Sequence, residues 1–118
     1  MKYLLILITI MLVGCATPLT PEEQKVVGSY EAKVFGKTLK WVFLDNGIVE
    51  FYNNGKKQQE EDKWKIVEGE LHIDDENGHI LVSRINPDGS ITDIILMDND
   101  GKREEVPKEE QTTFKKIK

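Results

Sequence analysis

The chain is poor in the groups that most protein chemistry needs. Its 118 residues hold one cysteine, Cys15, and two histidines, His72 and His79. A single thiol excludes a disulfide framework within the chain. Ser29, Ser83 and Ser90 lie in no Gly-x-Ser-x-Gly or comparable setting, so a nucleophile with its base is not visible. No glycine-rich loop precedes a helical pattern, because every internal glycine except Gly28 falls at a turn, and nothing is therefore placed to cradle a phosphate. Basic residues are outnumbered 16 to 21, for a net charge of −5, which repels phosphate backbones and argues against a nucleic-acid partner. The length suits one small domain with a modest core. The expectation is a protein that is not an enzyme and carries no cofactor and no metal.

No apolar run is long enough for a membrane-spanning helix. The longest, Leu4 through Val13, is interrupted by Thr9 and falls well short of the roughly twenty residues required. It follows the single charge of Lys2 and ends in Leu12-Val13-Gly14-Cys15, so it reads as an export signal. Those four residues resemble the lipobox of bacterial lipoprotein signal peptides. The resemblance implies cleavage between Gly14 and Cys15 and a diacylglycerol on the Cys15 thiol, usually with a further acyl chain on the new amine. More than one chain is what makes such an anchor stable. Ala16 follows the cysteine where lipoproteins retained at the inner membrane usually carry Asp, so the resemblance favours the outer membrane, with the domain facing the periplasm. The expected organisation is a signal peptide over 1–14, an anchored tether over 15–20 and a β domain over 21–118. Residues 16–20 reach at most about 17 Å when extended, which keeps the domain near its membrane.

Thr20-Pro21-Glu22-Glu23 reads as the start of a short helix: Thr20 as N-cap, Pro21 at the first position, and Glu23 completing a capping box. Gly28 is expected to end it. Beyond it, Gly36, Gly47, Gly55, Gly69, Gly78, Gly89 and Gly101 follow at intervals of 11, 8, 14, 9, 11 and 12 residues. Segments rich in Val, Ile, Phe, Trp and Leu lie between them, the grammar of an all-β sandwich or barrel of about eight strands. Asn86-Pro87-Asp88-Gly89 has the residues of a type I turn closed by a glycine bulge; Asp45-Asn46-Gly47, Asn53-Asn54-Gly55, Glu76-Asn77-Gly78 and Asp98-Asn99-Asp100-Gly101 read the same way. A three-residue loop at Asp45-Asn46-Gly47 sets Phe43 opposite Val49 and Trp41 opposite Phe51. That register puts Leu39, Trp41, Phe43, Val49 and Phe51 on one buried face, whereas a two-residue loop would split the aromatics. Trp64 with Ile66, Leu71 with Ile73, and Ile94 with Leu96 are expected to continue the inner surface. Residues 53–63 carry no apolar side chain and read as a solvated hairpin end or loop. Thr112 through Ile117 has strand composition and is placed to pair with the first strand and close the barrel.

Val27-Gly28-Ser29-Tyr30, Phe43-Leu44-Asp45-Asn46-Gly47 and Trp64 with Glu68-Gly69-Glu70-Leu71 resemble the small lipocalin-like domains of bacterial lipoproteins, over about residues 20–117. The resemblance implies a small antiparallel up-and-down barrel or flattened sandwich. Lipocalins proper carry Gly-x-Trp on the first strand, with a basic side chain from the last strand packed over the aromatic. Here Tyr30 replaces Trp, neither Arg84 nor Arg103 lies on the last strand, and Lys115 or Lys116 is a poor substitute.

His72 and His79 flank Asp74-Asp75-Glu76-Asn77, but a hairpin there points them to opposite sides, so no shared ion is expected and both read as solvated. Asp98-Asn99-Asp100-Gly101 fails as a calcium loop, because Leu96 and Pro107 would fall at ligand positions. Glu60-Glu61-Asp62 and Glu104-Glu105 read as solvated charge. Trp41, Phe43, Phe51 and Trp64, with Tyr52 and Phe114, are the residues to line any pocket for a small hydrophobic ligand. The alternative is an interaction module that docks on another envelope protein. Replacing the one thiol tests the anchor: Cys15→Ala is expected to abolish incorporation of labelled palmitate, and a variant still labelled would remove the lipoprotein reading.

Overall fold

The computed structural model describes residues 19–118, so the signal segment with Gly14 and Cys15 lies outside the described residues. Helix α1 (Pro21–Val26) starts as its residues require. The Thr20 hydroxyl accepts from the Glu23 N–H at 3.2 Å, and the Glu23 carboxylate accepts from the Thr20 N–H at 2.9 Å. So short a helix is not stable by itself; burial of Val26 holds it against the barrel. Val27 leaves helical geometry, and Gly28 is the first residue of the next strand, not the helix terminus. Its φ of +145° and the approach of the Lys118 carbonyl oxygen, which a Cβ would strike, explain the glycine.

Nine strands follow: β1 (Gly28–Val34), β2 (Lys37–Phe43), β3 (Ile48–Asn53), β4 (Lys56–Val67), β5 (Glu70–Asp74), β6 (Ile80–Ile85), β7 (Ile91–Met97), β8 (Arg103–Glu105) and β9 (Thr113–Lys116). β1 to β7 pair in sequence, each antiparallel to the next, and β9 pairs with both β7 and β1. The result is a closed eight-stranded up-and-down barrel, lipocalin-like in architecture, with β8 as an additional strand. β8 and β9 share one edge of β7. β8 covers Ile95 to Met97, the chain leaves through a 3₁₀ turn (Lys108–Glu110), and β9 returns to cover Ile91 and Thr92. The end closed by α1 is the floor and the opposite end the rim.

Seven tight turns connect β1 through β8, and they are of two kinds. At Asp45-Asn46-Gly47, Glu76-Asn77-Gly78, Pro87-Asp88-Gly89 and Asn99-Asp100-Gly101 the loop has three residues, and the glycine N–H donates back to the carbonyl that opens the turn. Phe35-Gly36, Asn54-Gly55 and Glu68-Gly69 are two-residue loops with positive φ at both positions. Asn53 therefore belongs to β3 and not to its turn. The register at Gly47 is the expected one, Trp41 opposite Phe51 and Phe43 opposite Val49.

Residues 56–63 of the charged run take the hairpin-end alternative and not the loop: they are the first part of β4, bonded to β3, with a bulge between Glu50 and Tyr52, and all but Asp62 are exposed. Asp62 falls opposite Val49 and is buried, since the twelve-residue strand carries it down into the barrel. The expectation for Ile94 and Leu96 is corrected: they do not continue the core. A bulge at Val82/Ser83 shifts β7 by one residue, which puts Asp93 opposite fully buried Ser83 and leaves Leu96 52% exposed.

The inner rows are Tyr30 and Ala32; Leu39, Trp41 and Phe43; Val49 and Phe51; Trp64 and Ile66; Leu71 and Ile73; and Ile91 with Phe114. Phe43, fully buried and in edge contact with Tyr30 and Trp64, is central to them. Phe43→Ala is expected to lower unfolding free energy by about 3 to 5 kcal/mol, and Gly28→Ala by about 2 kcal/mol through strain and the Lys118 collision. Urea titration of both variants measures this.

Candidate functional site

All four aromatics expected to line a pocket are brought together. Trp41 stacks on Phe114 with ring centroids 4.0 Å apart, and meets Phe51 edge-on at 5.6 Å and Phe43 at 6.4 Å. Phe43 in turn meets Trp64 at 5.6 Å and Tyr30 at 5.3 Å. Six rings form one connected cluster across five strands, in the offset and perpendicular geometries that aromatic quadrupoles favour. The Trp64 indole N–H donates to the Leu44 carbonyl at 3.0 Å, tying β4 to the turn at Gly47. Tyr52 is not part of the cluster: its ring lies under the Lys40 ammonium at 4.6 Å, on the outside.

Four recesses among the described residues lie elsewhere. One of about 340 Å³ sits under the floor between Val26, Tyr30 and Pro87, and one of about 390 Å³ beside the start of α1. Two more, of about 570 and 380 Å³, run along the β1/β9 boundary. None of these four is lined by Trp41, Phe43, Phe51 or Trp64.

The floor contains the basic-over-aromatic pairing for which a lysine was expected to be a poor substitute. Lys116 from the last strand holds its ammonium 5.7 Å from the centre of the Tyr30 ring and donates to the Lys25 carbonyl at 2.7 Å. The Tyr30 hydroxyl donates to the Val26 carbonyl at 2.7 Å. A lysine serves here because α1 offers its last carbonyls as the ammonium's acceptors. Burial pushes the Tyr30 phenol up to about 12.

Two carboxylates intrude on the apolar interior. Asp93 accepts from the Ser83 hydroxyl at 2.9 Å, which favours its ionised form, but burial outweighs this and pushes the carboxyl up to about 6. Asp62 is also raised to about 6, first by burial and then by Glu60 and Asp75, and its Oδ1 has no hydrogen-bond partner. Neither was marked by the sequence. Asp93 sat in an apolar strand whose register depends on the bulge, and Asp62 was hidden in a charged run.

The histidines stay apart. His72, 7% exposed, lies beside Glu70 at 3.5 Å, whereas His79 approaches Asp75 at 3.5 Å; His72 is thus buried and not solvated as expected. Its partner across the strands, Val82, shares its face of the sheet and is itself fully buried. Among the described residues no three ligating side chains converge on a point suited to a metal ion. The Asp98 carboxylate is occupied by the backbone N–H groups of Asp100 and Lys102, as an Asp-rich turn requires. Phe35 is a further surface residue that sequence reasoning passed over. Its signal was an aromatic directly before a turn glycine.

No family profile and no curated protein matches this chain in sequence.

The buried acids give a pH dependence with a definite sign. Both have folded pKa values above their unfolded ones, so the native state holds protons that the unfolded chain releases. Their stabilising effect is complete below the ordinary carboxylate range and is lost as pH rises through about 6. The chain is expected to be less stable at about pH 7.5 than at about pH 5, by on the order of 1 to 2 kcal/mol, and Asp93→Asn to remove much of that difference. Denaturant midpoints for the two proteins across this range are the measurement. An unchanged pH slope in the variant would mean that Asp93 is not the source.

Proposed function

We propose that this chain is a lipid-anchored bacterial envelope lipoprotein, attached through Cys15 to the outer membrane on its periplasmic side, and that its barrel is a non-catalytic module docking on another envelope protein. The observation that carries the docking reading is the ring-to-ring contact of Trp41 with Phe114, Phe51 and Phe43. A hydrophobic ligand in the interior would have to separate rings already packed against one another, and close-packed interiors resist that. Binding is then a matter for the outside of the barrel.

The geometry of the ends supports this. α1 begins a few residues after Cys15 and closes the floor, so the rim faces away from the anchored membrane. There the β3–β4 hairpin stands beyond β5 on one side, because β4 pairs with β5 only from Lys63 to Val67. Lys56 through Glu61 are exposed on this arm. Its free edge is charged, which discourages indiscriminate strand pairing and leaves a polar surface for a selective partner.

Native mass spectrometry separates docking from ligand carriage. The lipidated protein and the chain beginning at Ala16 are exposed to the same envelope extract. The expected result is an unmodified chain mass for the non-lipidated form, with Glu60→Lys/Glu61→Lys lowering crosslinking to an envelope protein. A stoichiometric small-molecule mass retained by the non-lipidated chain would overturn the docking reading in favour of ligand carriage.

A further inference from the structure

The barrel wall is incomplete at one seam. β1 and β9 pair only at Tyr30↔Lys116 and Glu31↔Lys115, and on the rim side of those pairs the ladder ends before Lys33 and Thr113. The two strands part there because the chain entering β9 comes out of the 3₁₀ turn and not from an adjoining strand. The upper recess, about 570 Å³, opens between Ala32 and Val34 on one lip and Glu109 to Thr113 on the other. The lower one, about 380 Å³, continues past Glu31, Lys115 and Ile117.

Phe35 stands at the rim of this seam and lines the upper recess. It is 99% exposed, with φ at +51°. Positive φ is a strained setting for a bulky side chain, and the equivalent positions of the other two-residue turns hold polar residues, Asn54 and Glu68. Phe35 thus combines backbone strain with an aromatic ring that its own barrel does not bury. Strain that the fold does not compensate points to a contact outside it.

Charge along the seam is self-complementary. Lys33 lies above Glu31 on the β1 lip, and Glu109 and Glu110 lie above Lys115 on the other. Among the described residues none of these five is in an ion pair.

We propose that the seam is a homodimer interface, covered by a second copy of this chain about a two-fold axis running parallel to the seam. That rotation sets Lys33 against the second copy's Glu109 and Glu110, and Glu31 against its Lys115. It keeps every group at its own level, so each Phe35 meets the upper recess of the other copy. A two-fold across the seam would also oppose unlike charges, but it would carry Phe35 to the floor end, away from that recess. The chosen axis leaves both α1 helices at the same end, as two anchors in one membrane require. The inference goes beyond the docking reading and stands without it.

The barrel closes within residues 28–118, so the chain from Ala16 onward is suitable for the test. Sedimentation velocity from about 5 µM to about 0.5 mM is expected to show a reversible dimer that weakens with added salt. Phe35→Asn is expected to weaken it at least about tenfold while the melting temperature holds or rises, because Asn suits the turn that Phe strains. Lys33→Glu is expected to dissociate the dimer, and Lys33→Glu combined with Glu109→Lys and Glu110→Lys in the same chain to restore it. A monomer at about 0.5 mM, a dimer indifferent to Phe35→Asn, or a triple variant that fails to recover association would each overturn the proposal.

Discussion

β9 spans only Thr113–Lys116, yet it supplies the hydrogen bonds that join β7 to β1. Without it the sheet would have two open edges, each a template for pairing with other chains. The strand is short because β8 already occupies the rim-side part of β7, and the chain must leave the wall and re-enter below it. That detour leaves the seam unpaired at Lys33 and Thr113. Closure is secured at the floor instead, where Ser29 exchanges backbone hydrogen bonds with Ile117 and Lys118. Lys116 over Tyr30 then links the last strand, the first strand and the end of α1.

A barrel of eight strands has an interior just wide enough for side chains to fill. Here six rings form one connected cluster, with Tyr30, Phe43 and Phe114 fully buried and Trp41 and Phe51 partly so. The two exceptions to an apolar interior, Asp62 and Asp93, sit where a strand runs long or a bulge shifts the register. Each is held toward its neutral form by burial. Charge and packing are in tension at both places, and protonation relieves the tension only as pH falls through about 6.

Much of the fold was legible because its signals are local and repeated. Glycine at near-regular intervals marked the turns, and period-two alternation gave the pairing of β2 with β3, where a wrong register would have cost a whole aromatic face. The capping box at Thr20 and Glu23 was equally legible, since all its partners lie within four residues. Ile94 and Leu96 were misread because a bulge reverses the alternation without changing the letters. The charged run at 53–63 was legible as a solvated hairpin end or loop, and hydropathy alone does not choose between the two or single out Asp62 as buried. Among the site residues, Trp41, Phe43, Phe51 and Trp64 were found as a group; the contacts among them, and the outward turn of Tyr52, were not.

The sequence by itself determined the turn positions, the class of fold, the start of α1 and, wherever no bulge intervenes, the residues that would be apolar and inward, since backbone conformation and alternation depend on neighbours a few residues away. Only the tertiary structure decided which strand edges meet and how completely. Whether Lys116 reaches Tyr30, whether Asp93 is buried, and whether a gap remains between Lys33 and Thr113 depend on residues dozens of positions apart. Those distances follow from closing the whole sheet on itself, a condition that no local stretch of the chain contains.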